Sequence, residues 1–416
     1  MVSSPESLKA WLRLSLTPGV GNVTARTLLK GFGVPEAIFE QSASELQALV
    51  SISMSQQLRV IPVGLEEAFE TTWQWLQKQV HLGTSKIARA RILTLADADY
   101  PSSLLLTPDP PLLLYVLGQT QHLHLLSPPA DKAPRALAVV GSRNPTPQGR
   151  LNAHDFAVHL SQAGLTVVSG LALGIDTAAH QGALKGGNAH HPLHTVAIVG
   201  TGLDRVYPHQ NHALALEIAA NGVLISEYPL NTPPITSNFP KRNRLIAGLS
   251  QGCLVVEAAT RSGSLITAKQ ALDLGKEVFA IPGSIHTTVA KGCHDLIKQG
   301  AKLVDSAQDI LEELKDLPDL DWHDSPTSTT NVIGQGLHIE ASIDASIEAS
   351  IVGPSVGTST LRVLDHLGQD PVGIDELQMR SGLGVAQLQA ELFQLELNGA
   401  LGRLPGGLYQ KLSPRR

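Results

Sequence analysis

Cysteine is almost absent: Cys253 and Cys293 are the only two in 416 residues. Two thiols cannot build a disulfide framework or a four-cysteine zinc site, and each is expected to act as a small buried hydrophobe. Aromatic residues are scarce at 4%, and charged residues make up only 16%. No apolar run approaches the ~18 residues a membrane span needs. The first residues, MVSSPESLKAWLRLSL, lack the basic start, long apolar stretch and small-residue cleavage site of a secretion signal, so a cytoplasmic chain with no membrane partner is expected. No G-x-x-x-x-G-K-[ST] occurs, which excludes ATP hydrolysis by a Walker loop. Basic residues are missing altogether between Lys315 and Arg362.

What is present is enough to build cores. Hydrophobic residues reach 43%, and the length suggests two to four domains. The 31 Lys+Arg stand against 37 Asp+Glu, for a net charge of −6. That excess is uneven: 9 basic against 10 acidic over 1–130, 16 against 15 over 131–316, and 6 against 12 over 317–416. A negative total argues against an all-over basic binder but not against a local basic groove.

Residues 1–80 read as short helices, with Pro18-Gly19-Val20-Gly21 leading into the next helix in a helix-hairpin-helix pattern. Such a turn can expose backbone N–H groups to a phosphate, or it can simply pack two helices. From Ala136 short apolar, β-branched runs alternate with helical stretches: ALAVVG, LTVVSG, TVAIVG, VLISE, CLVVEA and EVFAIPG. Runs apolar on both faces are parallel strands covered on both sides, and the alternation predicts a doubly wound α/β sheet over 81–317. Residues 318–358 carry the degenerate repeat EASI-DASI-EASI with no aromatic after Trp322, and are expected to form a flexible linker. From 359 to 416 three helices and a short hairpin predict a winged-helix domain. Its third helix, 385–398, holds Glu391 and Glu396 and no Lys or Arg, which favours a protein partner over DNA.

The motifs lie at predicted strand ends, where doubly wound sheets bind ligands. In VVGSRNPTPQGR (139–150), Gly141 permits a sharp turn, Ser142 can cap an anion, and Arg143 can donate to a phosphate in bidentate fashion. In SGLALGIDTAAHQGAL (169–184), Asp176 and His180 share a helix face, and a structural pair is expected because no nucleophile is placed beside them. GTGLDRVYPHQN (200–211) lacks the third glycine of a dinucleotide fingerprint, so no nicotinamide cofactor is expected. NFPKRNRLIAGLS (238–250) clusters Lys241, Arg242 and Arg244 next to Phe239. Basic residues beside an aromatic suit a single strand, since charge holds phosphates while a ring stacks a base. Ser262, Gly263 and Ser264, with Arg261 adjacent, form a further anion nest at a helix start. His190, His191 and His194 sit in the insertion GNAHHPLH without a second ligand cluster, and a polar surface loop is expected rather than a metal site.

In this order the segments VVGSR, SGLALGIDTAAHQGAL, GTGLDRVYP, SEYP, FPKRNRLIAGLS, VVEAATRSGSLITAKQAL, GKEVFAIPGS and LIKQGAKLV resemble the DNA-processing protein A family, also called DprA or Smf. The resemblance implies an extended Rossmann-like fold that binds single-stranded DNA, forms a homodimer, and loads the RecA recombinase onto the incoming strand during natural transformation. It implies no catalytic residue and no cofactor. Carried over by position, its binding pocket involves Gly141, Ser142, Arg143, Phe239, Lys241, Arg242 and Arg244. The histidine-containing insertion and the acidic C-terminal part depart from the family pattern. A second resemblance is to nucleotide phosphoribohydrolases of the lysine-decarboxylase-like type, which carry PGGxGTxxE. Here the matching stretch reads RSGSLITAK, with Lys269 in place of the glutamate, so a general acid or base is missing.

Overall fold

In the computed structural model the described residues are 4–82, 86–127, 135–187, 190–315, 363, 367, 371–398, 400–404 and 407–412. The chain divides into two compact units, Met1–Asp319 and Leu320–Arg416. The expected linker 318–358 lies outside the described residues.

The first unit opens with helices α1 (Pro5–Leu16), α2 (Asn22–Phe32), α3 (Pro35–Glu40), α4 (Ala43–Gln47), α5 (Ile52–Arg59) and α6 (Leu65–Gln77). Serine caps start three of them: Ser4, Ser42 and Ser51 each accept a first-turn N–H. Then come β1 (Gln79–Leu82), β2 (Lys86–Thr94), α7 (Ser102–Leu105) and β3 (Leu113–Gly118). The alternating part follows as β4 (Ala136–Val140), α8 (Pro147–Gln162), β5 (Thr166–Ser169), α9 (Ile175–Gly186), β6 (Thr195–Ile198), α10 (His212–Asn221) and β7 (Val223–Ser226). It continues through α11 (Asn238–Leu249), β8 (Gly252–Val255), α12 (Ser264–Asp273), β9 (Glu277–Ala280), α13 (Lys291–Lys298), β10 (Lys302–Leu303) and α14 (Ala307–Lys315).

All ten strands form one sheet in the order β1-β2-β3-β7-β6-β5-β4-β8-β9-β10. Pairing is parallel from β7 to β10 and antiparallel among β1, β2, β3 and β7. Strand order reverses at β4, which has β5 on one side and β8 on the other, so the loops leaving β4 and β8 part and open a crevice. Period-two alternation sorts side chains to two cores. Val116, Val196, Ile198 and Ile225 face Leu245 and Ile246 of α11, whereas Tyr115, Ala197 and Leu224 face Ile218 of α10. Leu8, Trp11, Leu12 and Leu28 of the N-terminal helices belong to that second cluster, so these helices share their core with the sheet.

The insertion after α9 corrects one expectation. His191 is buried, its Nε2 hydrogen-bonded to Thr166 Oγ1 at 2.8 Å, because the chain returns across the start of β5 before entering β6. His190 is exposed, as a surface loop requires. Among the described residues no group of three metal-ligating side chains is assembled. Cys253 and Cys293 are both fully buried.

The second unit contains β11 (Val372–Gly373), α15 (Ile374–Ser381), α16 (Val385–Leu397), β12 (Leu401–Leu404) and β13 (Leu408–Lys411). A three-stranded sheet of order β11-β13-β12 packs with both helices over Val372, Leu377, Leu388, Leu392, Leu401 and Tyr409. This is a winged helix. Among the described residues no helix is long and apolar enough to cross a membrane.

Candidate functional site

A cleft of about 480 Å³ lies at the crevice between β4 and β8. Its first wall is the loop leaving β4. A Cβ at Gly141 would sit 2.7 Å from the Ile175 side chain and 2.9 Å from the Glu257 carbonyl, so only glycine lets the loop pass. Ser142 N–H donates to that carbonyl at 2.7 Å. The Glu257 carboxylate, at the end of β8, accepts from Thr146 N–H (2.9 Å) and Thr146 Oγ1 (2.5 Å). Thr146 in turn caps α8 by accepting from Gly149 N–H at 2.9 Å. Burial raises the Glu257 carboxyl above its ordinary range, and the two Thr146 bonds oppose that rise. Glu257 therefore fixes the loop, and the fixed loop presents Arg143 exposed and free of any ion pair among the described residues.

The floor is made by Arg242 and Asp176. Arg242 is only 4% exposed, and its Nη1 donates to the carbonyl of Ile198 at the end of β6. A Cβ at Gly170 would overlap the Arg242 guanidinium, so that glycine makes room for it. Asp176, in the first turn of α9, accepts from the N–H groups of Gly170 (3.1 Å) and Ala172 (3.3 Å). Burial raises the Asp176 carboxyl, with the charge of Arg242 and these N–H groups opposing. Burial likewise lowers Arg242 to about 10, with Asp176 opposing and the like charge of Arg143 assisting. The sequence pairs Asp176 with His180, but the structure directs them apart. His180 Nδ1 bonds Thr195 Oγ1 at 2.7 Å in the interior.

The rim carries the aromatic group. Phe239 is half-buried at the start of α11, with the Arg143 guanidinium 5.8 Å from its ring centroid. Tyr207, 48% exposed, lies against it with centroids 5.5 Å apart. Opposite, Ser262, Gly263 and Ser264 line the cleft where α12 begins, and the exposed Arg261 adds a second cation with no ion pair among the described residues. Of the ten residues expected from sequence, the structure brings eight together here: Gly141, Ser142, Arg143, Phe239, Arg242, Ser262, Gly263 and Ser264. Lys241 and Arg244 are not among them. Arg244 is ion-paired with the buried carboxylate of Glu227 and donates to the Asp109 carbonyl at 2.7 Å, tying α11 to the segment before β3. Lys241 borders a different cleft. Tyr207 was not singled out from sequence. Its only signal there was an aromatic following a strand-end glycine loop in a chain poor in aromatics.

The family model described as DNA recombination-mediator protein A matches residues 91–315, and the one described as DprA winged helix domain matches residues 354–407. This chain belongs to the DprA family. The DprA relatives it matches include Protein Smf of Synechocystis, 32% identical over 96% of this chain and 98% of that one. Protein Smf of Escherichia coli is 37% identical over 82% of this chain and 80% of that one. In structure it is similar to DprA of Streptococcus pneumoniae, with a TM-score of 0.58 and 34% identity over 75% of this chain and 99% of that one. The cleft described above lies within the segment that the DprA recombination-mediator model covers.

Proposed function

We propose that this DprA-family chain binds single-stranded DNA in the cleft between β4 and β8. Acting as a homodimer through its Rossmann-like domain, it loads the RecA recombinase onto that strand during natural transformation, with no catalytic step of its own. The observation that carries the DNA part is the pairing of two cations without an ion pair among the described residues, Arg143 and Arg261, with an accessible Tyr207–Phe239 aromatic pair at one rim. Cations attract phosphates of any nucleic acid, but a ring can stack only on a base whose face is open, which a duplex hides. The enzyme alternative has less support. Asp176, the carboxylate that lines the cleft, already accepts from two backbone N–H groups, and Glu257, behind the loop that leaves β4, is engaged by Thr146. Lys269, at the position of the missing glutamate, is exposed and does not line the cleft.

A mobility-shift titration with single- and double-stranded oligonucleotides of equal length tests the proposal. Tighter binding of the single strand is expected, with log K falling by about 0.7 per phosphate contact for each decade of salt. Equal affinity for the duplex, or a flat salt response, would refute it. The RecA part is checked by measuring RecA filament assembly on strands coated by a single-strand-binding protein, where addition of the chain should shorten the lag.

A further inference from the structure

Helix α2, which follows the glycine-rich turn of the N-terminal region, buries Ala25 and Leu28 in the shared core and turns its other side to water. That side forms one wall of a groove of about 530 Å³. Val23, Leu29, Leu95 and Leu105 line the groove, and Arg26 and Lys30 stand among them. Val23 is 62% exposed, and Leu106, next in the chain to Leu105, is 85% exposed. Aliphatic side chains left in water around a groove mark an interaction surface.

The charge of this surface is one-sided. No acidic residue occurs in α2, and neither Arg26 nor Lys30 makes an ion pair among the described residues. Arg26 Nη2 donates to the Pro108 carbonyl at 3.0 Å, which holds the guanidinium at the groove and leaves its other N–H groups on offer. The carboxylates between β2 and β3 are engaged elsewhere. Asp97 accepts from Thr94 N–H at 2.8 Å, Asp99 pairs with Arg91 at 2.6 Å, and Asp109 lies 3.7 Å from Arg244. The groove therefore attracts carboxylates from outside.

Three features narrow the occupant. No aromatic ring lines the groove, so the bases of a nucleic-acid strand find no stacking platform there. β2, which leads to Leu95, is paired with β1 on one side and β3 on the other, so it has no free edge for an extended peptide. A peptide seated here must satisfy its own backbone, as a helix does. Arg26 and Lys30 are also one helical turn apart, which matches acidic residues four positions apart on a second helix lying along α2.

We propose that this groove docks an acidic amphipathic helix of a partner protein, with its aliphatic stripe against Val23, Leu29, Leu95 and Leu105 and its carboxylates on Arg26 and Lys30. The groove shares no residue with the cleft between β4 and β8, so this docking stands or falls apart from DNA binding.

Fluorescence anisotropy on the full chain tests it with two labelled helical peptides. One carries leucines at the i, i+3, i+4 and i+7 positions and glutamates on the flanking face; in the other every glutamate is lysine. The acidic peptide should bind, and more weakly as salt rises, whereas the lysine peptide should not. Lys30→Glu is the informative variant because Lys30 is exposed. It should melt like wild type, weaken the acidic peptide by about fivefold and gain binding of the lysine peptide. Lys298→Glu, the same charge change at an exposed lysine of α13, should alter neither. Val23→Ser should weaken the acidic peptide and leave its salt dependence unchanged. Absence of binding by the acidic peptide, equal binding of the two peptides, or a Lys298→Glu effect as large as that of Lys30→Glu overturns the proposal. Loss of self-association in Lys30→Glu would make the occupant a second copy of this chain, and displacement of the peptide by an oligonucleotide would make it a nucleic-acid strand; either result overturns the partner helix.

Discussion

Arg143 and Arg242 line the same cleft, yet their environments set them to different tasks. Arg242 is buried against Asp176 and the Ile198 carbonyl, while Arg143 is exposed on a loop that Glu257 has already fixed. Removing the buried guanidinium leaves the Ile198 carbonyl without its donor and opens a cavity beside Gly170. Arg242→Ala should therefore cost at least about 1–3 kcal/mol of stability. Arg143→Ala should change stability by less than about 0.5 kcal/mol, as exposed substitutions usually do, and weaken single-strand binding instead. Urea denaturation of the two variants beside an anisotropy titration checks this. Comparable destabilisation by both would mean that Arg143 is held by contacts the structure does not contain.

At the scale of elements, two histidines join strands and helices in their neutral form. His180 of α9 bonds Thr195 of β6, whose hydroxyl donates to the Val167 carbonyl of β5 at 2.7 Å. Burial first, then the charge of Arg242, lowers His180 from 6.5 to about 3. Burial first, then Arg135, lowers His191 from 6.5 to about 4. Between those values and 6.5 the unfolded chain binds more protons than the folded one, so stability is full above 6.5 and falls as pH drops. The fall is at most about 1.4 kcal/mol per pH unit for each histidine. Glu227 and Glu257, raised by burial, act with the opposite sign nearer the carboxylate range, so the histidine effect is clearest just below 6.5. Denaturation midpoints at about pH 7.5 and about pH 5.5 should differ, and the difference should shrink in His191→Gln. An unchanged difference would place the acid sensitivity elsewhere.

For the whole molecule, every residue of the cleft lies within Met1–Asp319. A chain of residues 1–319 should fold cooperatively and bind single-stranded DNA with the affinity and salt slope of the full chain. Circular dichroism melts and anisotropy on the truncated protein test that. A large loss of affinity would assign DNA contacts to the winged helix, against the charge of α16, which bears Glu391 and Glu396 and no Lys or Arg. The N-terminal helices belong to the same prediction. Because Leu8, Trp11 and Leu28 share a core with the strands, removing residues 1–80 should destabilise the sheet instead of releasing an independent module.

Local pattern determined much of this protein. Apolar runs separated by helical stretches specify parallel strands because strands covered on both faces need no polar side. Parallel crossovers bring all their carboxyl ends to one edge, and the glycine and basic motifs at those ends converge for that reason alone. Eight of the ten residues singled out from these motifs line one cleft for that reason. What a side chain does after it arrives was decided by tertiary structure. Lys241, Arg242 and Arg244 read as one basic cluster, but a helix turns about 100° per residue, and the three point to different neighbours. One borders a different cleft, one is buried against Asp176, and one is paired with Glu227. The same holds for His191, whose burial depends on where the insertion returns to β5. Charge and periodicity are properties of neighbours along the chain. Burial and pairing are set by residues that only the fold brings near, such as Arg244 and Asp109, 135 positions apart.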